Sequence, residues 1–247
     1  MKRFFNTAYL PVATLTCGVV TYLLRTLLWI SAMGAEDSAL LPAGTWPDVM
    51  SWVFVALVVV LLGAGTWKMQ GSNKYSTNFP ASLPAAVGMV LAAVGFTITS
   101  VTDFSAQGDS VNIVSAALGF IASLSLFFLA YCRFKGLHPN MIFHGVVCLY
   151  LMLHLVSHYR LWSSYPQLQS YAFELMAIVF IMLACYHRAA FDAGKGKFRA
   201  YTFFSLMALF FCIATLPGCD NPVFFLGCAV WMFCTPCRLS LPTKKEE

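Results

Sequence analysis

The stretch Val49–Trp67, VMSWVFVALVVVLLGAGTW, contains 19 residues and no charged side chain. A helix rises about 1.5 Å per residue, so about 20 apolar residues cross the roughly 30 Å hydrocarbon core of a bilayer. The stretch is a continuous apolar run without the alternation that marks a membrane β-strand. It therefore predicts a transmembrane helix.

Seven further stretches have a similar length and character. They are Ala8–Ile30, Leu83–Val101, Val111–Tyr131, Met141–Tyr159, Leu168–Tyr186, Ala200–Leu216 and Pro222–Cys237. The last is the shortest, and it contains Pro236 near its end, which favours a tilted or partly re-entrant segment. We predict an all-α, polytopic membrane helical bundle of about eight transmembrane helices, in a single domain over residues 1–247.

The composition of the whole chain agrees with this prediction. Of its 247 residues 60% are hydrophobic and 10% are charged, and the mean hydropathy is +0.75. A soluble domain carries roughly 25% charged residues. These values exclude an ordinary water-soluble globule, a disordered chain and a nucleic-acid binder. The net charge of +5 is divided among short loops, so it indicates membrane topology and not a nucleic-acid partner.

The first span has a second interpretation. Lys2 and Arg3 followed by an apolar run resemble the start of a signal peptide. However, the run is longer than the usual hydrophobic region of about 7–15 residues, and Arg25 interrupts it. We therefore favour a retained membrane helix.

The charged residues predict the orientation. Of the 15 basic residues, all except Arg25 and Arg160 lie at the two ends or in loops that share one side of the membrane. Arg133 and Arg188 belong to this set as residues that follow predicted spans. The opposite loops are mainly acidic. Because cytoplasmic loops are enriched in Lys and Arg, both termini are expected to be cytoplasmic.

Eight spans with both ends on one side divide into four plus four. Gly18-Val19-Val20 in the first half matches Gly145-Val146-Val147 in the second. Parallel repeats of this kind occur in transporters. Two interpretations stay open: a tandem repeat with halves 1–137 and 138–247, and chance matches between Val- and Leu-rich segments. The small residues of the third span additionally favour close helix packing.

Two charged residues lie inside predicted spans. Arg25 is in the first span and Glu174 in the sixth, at similar depths. Ionisable groups in hydrocarbon cost about 2.5–3.5 kcal/mol on insertion scales, so they tend to be paired or functional. Two interpretations stay open: a structural pair or snorkelling side chains, and a role in substrate or proton handling.

The fifth span carries His144, His154 and His158, and the last two share one helix face because they are four residues apart. His154 joins Arg25 and Glu174 as a candidate substrate-binding residue. His154, His158 and Glu174 form a candidate metal site, since imidazoles and a carboxylate suit zinc. The alternatives are haem ligation and hydrogen bonds within the bundle. We assign no cofactor.

Three functions are compatible with these features. The first is a small-molecule transporter, or the substrate-binding membrane subunit of a transport system. The second is a non-catalytic membrane sensor or assembly partner, and the third is an intramembrane metal- or haem-dependent enzyme. The predicted partners are the lipid bilayer, other membrane subunits and a small-molecule ligand, with no nucleic acid. Short loops and the clean charge bias favour a bacterial plasma membrane.

Overall fold

The structure, a computed structural model, describes residues 2–33, 45–67, 69, 75–105, 110–162 and 171–235. Within these ranges the chain is helical and forms no strand, which confirms the predicted all-α class. The helices are α1 (Lys2–Met33), α2 (Trp46–Trp67), α3 (Tyr75–Asn78), α4 (Leu83–Ser105), α5 (Ser110–Lys135), α6 (Met141–Trp162), α7 (Ala172–Asp192), α8 (Phe198–Ala214) and α9 (Pro222–Cys234).

Six of these helices, α1, α2 and α4 to α7, are long and apolar enough to cross a membrane. The apolar helices α8 and α9 have only 17 and 13 residues. At about 1.5 Å per residue α9 is roughly 20 Å long, which is less than the hydrocarbon core. The fold is thus a polytopic membrane bundle, with six of the eight predicted spans at full length. Pro236 and Cys237 lie outside the described residues.

The helices α4 to α9 form a closed ring. Each of them packs against the next one in the chain, and α9 returns to pack against α4. The pair α1 and α2 lies outside this ring, where both helices contact α8. In both predicted halves, helices that follow each other in the chain pack together: α1 with α2 and α4 with α5 in the first, α6 with α7 and α8 with α9 in the second. Short connections produce such pairs in most bundles, with or without a repeat. The tandem repeat therefore stays a prediction.

The helix α8 is buried on all sides from Ser205 to Ala214. It contacts α1, α2, α7 and α9, and every residue from Ser205 to Ala214 is buried. Since other helices surround α8, its length does not have to match the thickness of the bilayer. A 17-residue helix is therefore compatible with its place in the bundle.

Glycines bring the backbones of α4 and α9 close together. A Cβ atom added at Gly95 would lie 2.9 Å from the Cα atom of Phe224, and one added at Gly227 would lie 2.6 Å from the carbonyl oxygen of Leu91. Small residues at helix interfaces allow this approach in membranes. The expected close packing of the third span, which is α4, is confirmed.

Candidate functional site

Contacts between aromatic side chains of α4, α6 and α9 identify the interior of the ring. Phe96 of α4 and Tyr150 of α6 have ring centroids 5.1 Å apart, and Phe96 and Phe224 of α9 are also 5.1 Å apart. All three side chains are buried. Because α6 faces α4 and α9 across the ring, these side chains meet inside it. We call Phe96, Tyr150 and Phe224 the aromatic layer.

A pair of histidines lies on one side of the aromatic layer. The Nδ1 atom of His154 is 3.8 Å from Oδ2 of Asp103 in α4, and the His154 ring is 5.6 Å from the Phe224 ring. His158 donates a hydrogen bond of 3.0 Å from Nδ1 to the backbone oxygen of His154. The hydroxyl of Ser115 donates to Asp103 over 3.4 Å. We call His154, His158 and Asp103 the histidine end of the ring.

Two arginines lie at the opposite end, which is the end predicted to be cytoplasmic. Arg133 of α5 is 4% exposed and Arg188 of α7 is 1% exposed. Their interpretation as loop charges was wrong. The helices α5 and α7 continue past the predicted span ends, Tyr131 and Tyr186, and place both guanidinium groups in the protein interior.

Both guanidinium groups lie against the same aromatic ring. Their carbon atoms are 5.3 Å (Arg133) and 5.2 Å (Arg188) from the centroid of Phe79. The hydroxyl of Tyr75 lies beside Arg188, and Tyr201 interacts electrostatically with both arginines. We call Arg133, Arg188, Tyr75, Phe79 and Tyr201 the arginine cluster.

The connection between α3 and α4 closes this end of the ring. The backbone N–H of Ser82 donates to the backbone oxygen of Arg133 over 3.3 Å, which fixes the connection to α5. The Phe79 ring packs edge-on against Phe191 and Tyr201 at 5.1 and 5.2 Å. Phe79 therefore stands at the mouth of the ring, between α7 and α8 on one side and α5 on the other.

A carboxylate adjoins the arginine cluster. Oδ2 of Asp192 is 3.0 Å from Nδ1 of His144 in α6, and both side chains are 1% exposed. Asp192 also interacts with Arg188, which lies one helical turn before it on α7. The electrostatic partners of Arg133, by contrast, are Arg188, Tyr75 and Tyr201, and no carboxylate is among them.

The predicted pair Arg25 and Glu174 comes together outside the ring. The guanidinium carbon of Arg25 lies 4.2 Å from the centroid of Phe173 in α7, and Arg25 interacts electrostatically with Glu174 and Asp48. The backbone N–H of Asp220 donates a hydrogen bond to the Glu174 carboxylate. Arg25 and Glu174 are 6% and 5% exposed. The structure thus joins two of the three predicted substrate residues, while His154 lies inside the ring.

The α8–α9 connection borders this pair. Burial, together with the nearby Glu174, raises the pKa of the Cys219 thiol to about 12. A thiol with such a pKa stays protonated at neutral pH and reacts slowly, because the thiolate is the nucleophile. Cys219 is therefore a packing residue and not a reactive one.

The predicted metal ligands are not grouped as a site. Among the described residues no set of three or more His, Cys, Asp and Glu side chains is arranged to hold a metal ion. His158 has His154 and Asp103 as its electrostatic partners, whereas those of Glu174 are Asp220 and Arg25. The geometry of the described chain therefore gives no support to a site of His154, His158 and Glu174.

Comparison with known proteins found no matching family model, no matching curated protein and no matching solved structure. The function is therefore inferred from the ring and from the charged groups that it encloses.

Proposed function

We propose that this protein transports a small molecule across a membrane, alone or as the membrane subunit of a transport system, and that the path runs through the interior of the ring. The supporting observation is the distribution of polar groups inside the ring. Ionisable side chains occupy both of its ends, and the aromatic layer separates them. Buried ionisable groups in membrane bundles commonly mark substrate or proton pathways.

The aromatic layer has the position of a constriction. The rings of Phe96, Tyr150 and Phe224 are buried, and Phe96 contacts both of the others, so they separate the histidine end from the arginine cluster. A transporter has to close its path to one side while it is open to the other. Movement of these three side chains would connect the two ends.

The pair Arg25 and Glu174 has a second role in this proposal. It lies where α1 contacts α7, next to the connection between α8 and α9. Near this pair of side chains, the ring helices α7 and α8 contact the outer helices α1 and α2. We assign Arg25 and Glu174 to substrate or proton handling outside the ring, at the same end of the bundle as His154. We assign the protein to the bacterial plasma membrane.

The proposal is tested by uptake into proteoliposomes that contain the purified protein. The probes are labelled phosphate, methylamine and glucose, which differ in charge. We expect uptake of at least one probe above that of protein-free liposomes, and a several-fold change with Phe96→Ala. The matched control is Phe128→Ala, which removes the same side chain from a half-exposed position outside the aromatic layer.

The opposite results would support the alternative of a sensor or assembly subunit. These results are the absence of uptake for all three probes and stoichiometric co-purification of a second membrane protein. Equal uptake by the Phe96→Ala and Phe128→Ala variants would contradict the proposed path, even if the protein transports a probe.

A further inference from the structure

We propose that the arginine cluster is a binding site for a phosphate group, in which Arg133 and Arg188 supply the charge and Tyr75 and Tyr201 supply hydroxyl donors. This inference deepens the proposed function by naming a substrate class. Only the statement that the phosphate compound is the transported substrate rests on the proposed function. Binding to the arginine cluster is measured without transport.

The first argument is the set of unused hydrogen-bond donors. Five buried guanidinium nitrogens form no hydrogen bond of good geometry with the described residues. They are Nε and Nη1 of Arg133 and Nε, Nη1 and Nη2 of Arg188. The Tyr75 hydroxyl lies within hydrogen-bonding reach of Arg188 and is an acceptor for one of these nitrogens, which leaves the others without an acceptor. Buried donors are nearly always partnered in native proteins, so such a group of unsatisfied donors indicates a missing acceptor.

The second argument is the charge. Arg133 and Arg188 lie close enough to repel each other, and Asp192 is the one carboxylate that interacts with Arg188 among the described residues. Removing an ion from water is costly unless an opposite charge compensates it. The faces of Phe79 and the carboxyl end of α5 compensate part of the charge of the arginines. A bound dianion would compensate the remainder.

The third argument is the chemistry of the donors. Guanidinium groups present a rigid fork that matches phosphate oxygens in a bidentate manner. Two such forks and two hydroxyl groups suit an acceptor with three or four oxygens. Ser205 forms a side-chain hydrogen bond with Tyr201 and thereby orients the Tyr201 hydroxyl.

The phosphate has two sources. One is free phosphate or a phosphorylated solute from the cytoplasm, and the other is the headgroup of an anionic lipid. An apolar groove between α4 and α5 with a volume of about 370 Å³ includes Leu83 and Phe134, the residues that follow Ser82 and Arg133. An acyl chain in this groove would reach the site from the lipid side.

The test is thermal unfolding of the full-length protein in a zwitterionic detergent at constant ionic strength. One arm adds inorganic phosphate and another adds dihexanoyl phosphatidic acid, with acetate and dihexanoyl phosphatidylcholine as their respective controls. At saturation we expect phosphate or phosphatidic acid to raise the unfolding temperature by about 3–5 °C. A rise with both compounds indicates the shared phosphate chemistry, and a rise with phosphatidic acid alone identifies the lipid as the source.

The variants Arg188→Gln and Arg133→Gln are expected to lose this rise. The matched control is Arg199→Gln, which removes the same charge from an exposed arginine near the same end of the bundle. If either glutamine variant fails to fold, Arg188→Lys serves instead, since it keeps the charge and loses the fork. The inference is overturned by an equal rise in the wild type and the Arg188 variants, by an equal rise with acetate, or by the absence of any rise with phosphate and phosphatidic acid.

Discussion

At the scale of single residues, two buried arginines show how differently one side chain is accommodated. Arg25 interacts with the carboxylates Glu174 and Asp48, whereas Arg133 has another arginine and two tyrosines around it. The charge of Arg25 is compensated by carboxylates, and the similar depths of Arg25 and Glu174 in their predicted spans already indicated this pairing. The charge of Arg133 has no carboxylate among its main electrostatic partners in the described part of the chain, and its burial follows from how far α5 and α7 extend.

The pair Arg25 and Glu174 leads to a prediction about stability. We expect Glu174→Gln to lower the free energy of unfolding by about 1–3 kcal/mol, because it removes a buried opposite charge while it keeps a hydrogen-bond acceptor for the N–H of Asp220. The measurement is unfolding of the purified protein in detergent. Additive losses in the double variant Arg25→Gln/Glu174→Gln would show that the two side chains are not coupled.

At the scale of elements, the connection between α8 and α9 depends on one glycine. Gly218 has a φ of +77°, and a Cβ atom there would lie 1.9 Å from the indole ring of Trp29 in α1. Because Gly218 has no side chain, the backbone of the connection can lie against the Trp29 ring of α1. Sequence analysis could place a turn at this glycine but not its contact with Trp29, because the two residues are distant in the chain.

This contact gives a paired prediction. Gly218→Ala is expected to destabilise the protein by more than the roughly 1–2 kcal/mol that a left-handed non-glycine residue costs, since the methyl group also displaces Trp29. Gly194→Ala is the matched control, with a φ of +70° and open space around the added methyl group. Both are compared by thermal unfolding. Equal losses in the two variants would indicate that Trp29 moves aside at little cost.

At the scale of the whole molecule, the basic loops predict the orientation of the bundle in the membrane. We expect a C-terminal alkaline phosphatase fusion to be inactive in a bacterial host and a C-terminal green fluorescent protein fusion to fluoresce, because the basic loops predict a cytoplasmic C-terminus. A phosphatase fusion after residue 107, in a predicted outer loop, is the control and is expected to be active. The reverse pattern would refute the predicted orientation.

The sequence predicted the apolar helices because each depends on a local run of about 20 residues. It did not predict the ring, since the return of α9 to α4 and the meeting of Phe96, Tyr150 and Phe224 join distant segments. It also missed the arginine cluster. Arg133 and Arg188 stand two residues beyond predicted span ends, where an arginine is usually solvated, and only the longer helices α5 and α7 bury them.

The enclosed position of α8 has a consequence for biosynthesis. The helices α1 and α2 end before residue 68, whereas α8 begins at Phe198, so more than 100 residues are synthesised between them. At about 5–20 residues per second, the first two helices remain in the membrane for on the order of 10 s before their partner emerges. During that interval Arg25 lacks both Glu174 and Phe173. Asp48 of α2 and snorkelling to the surface are then what shelters this arginine until the later helices assemble around it.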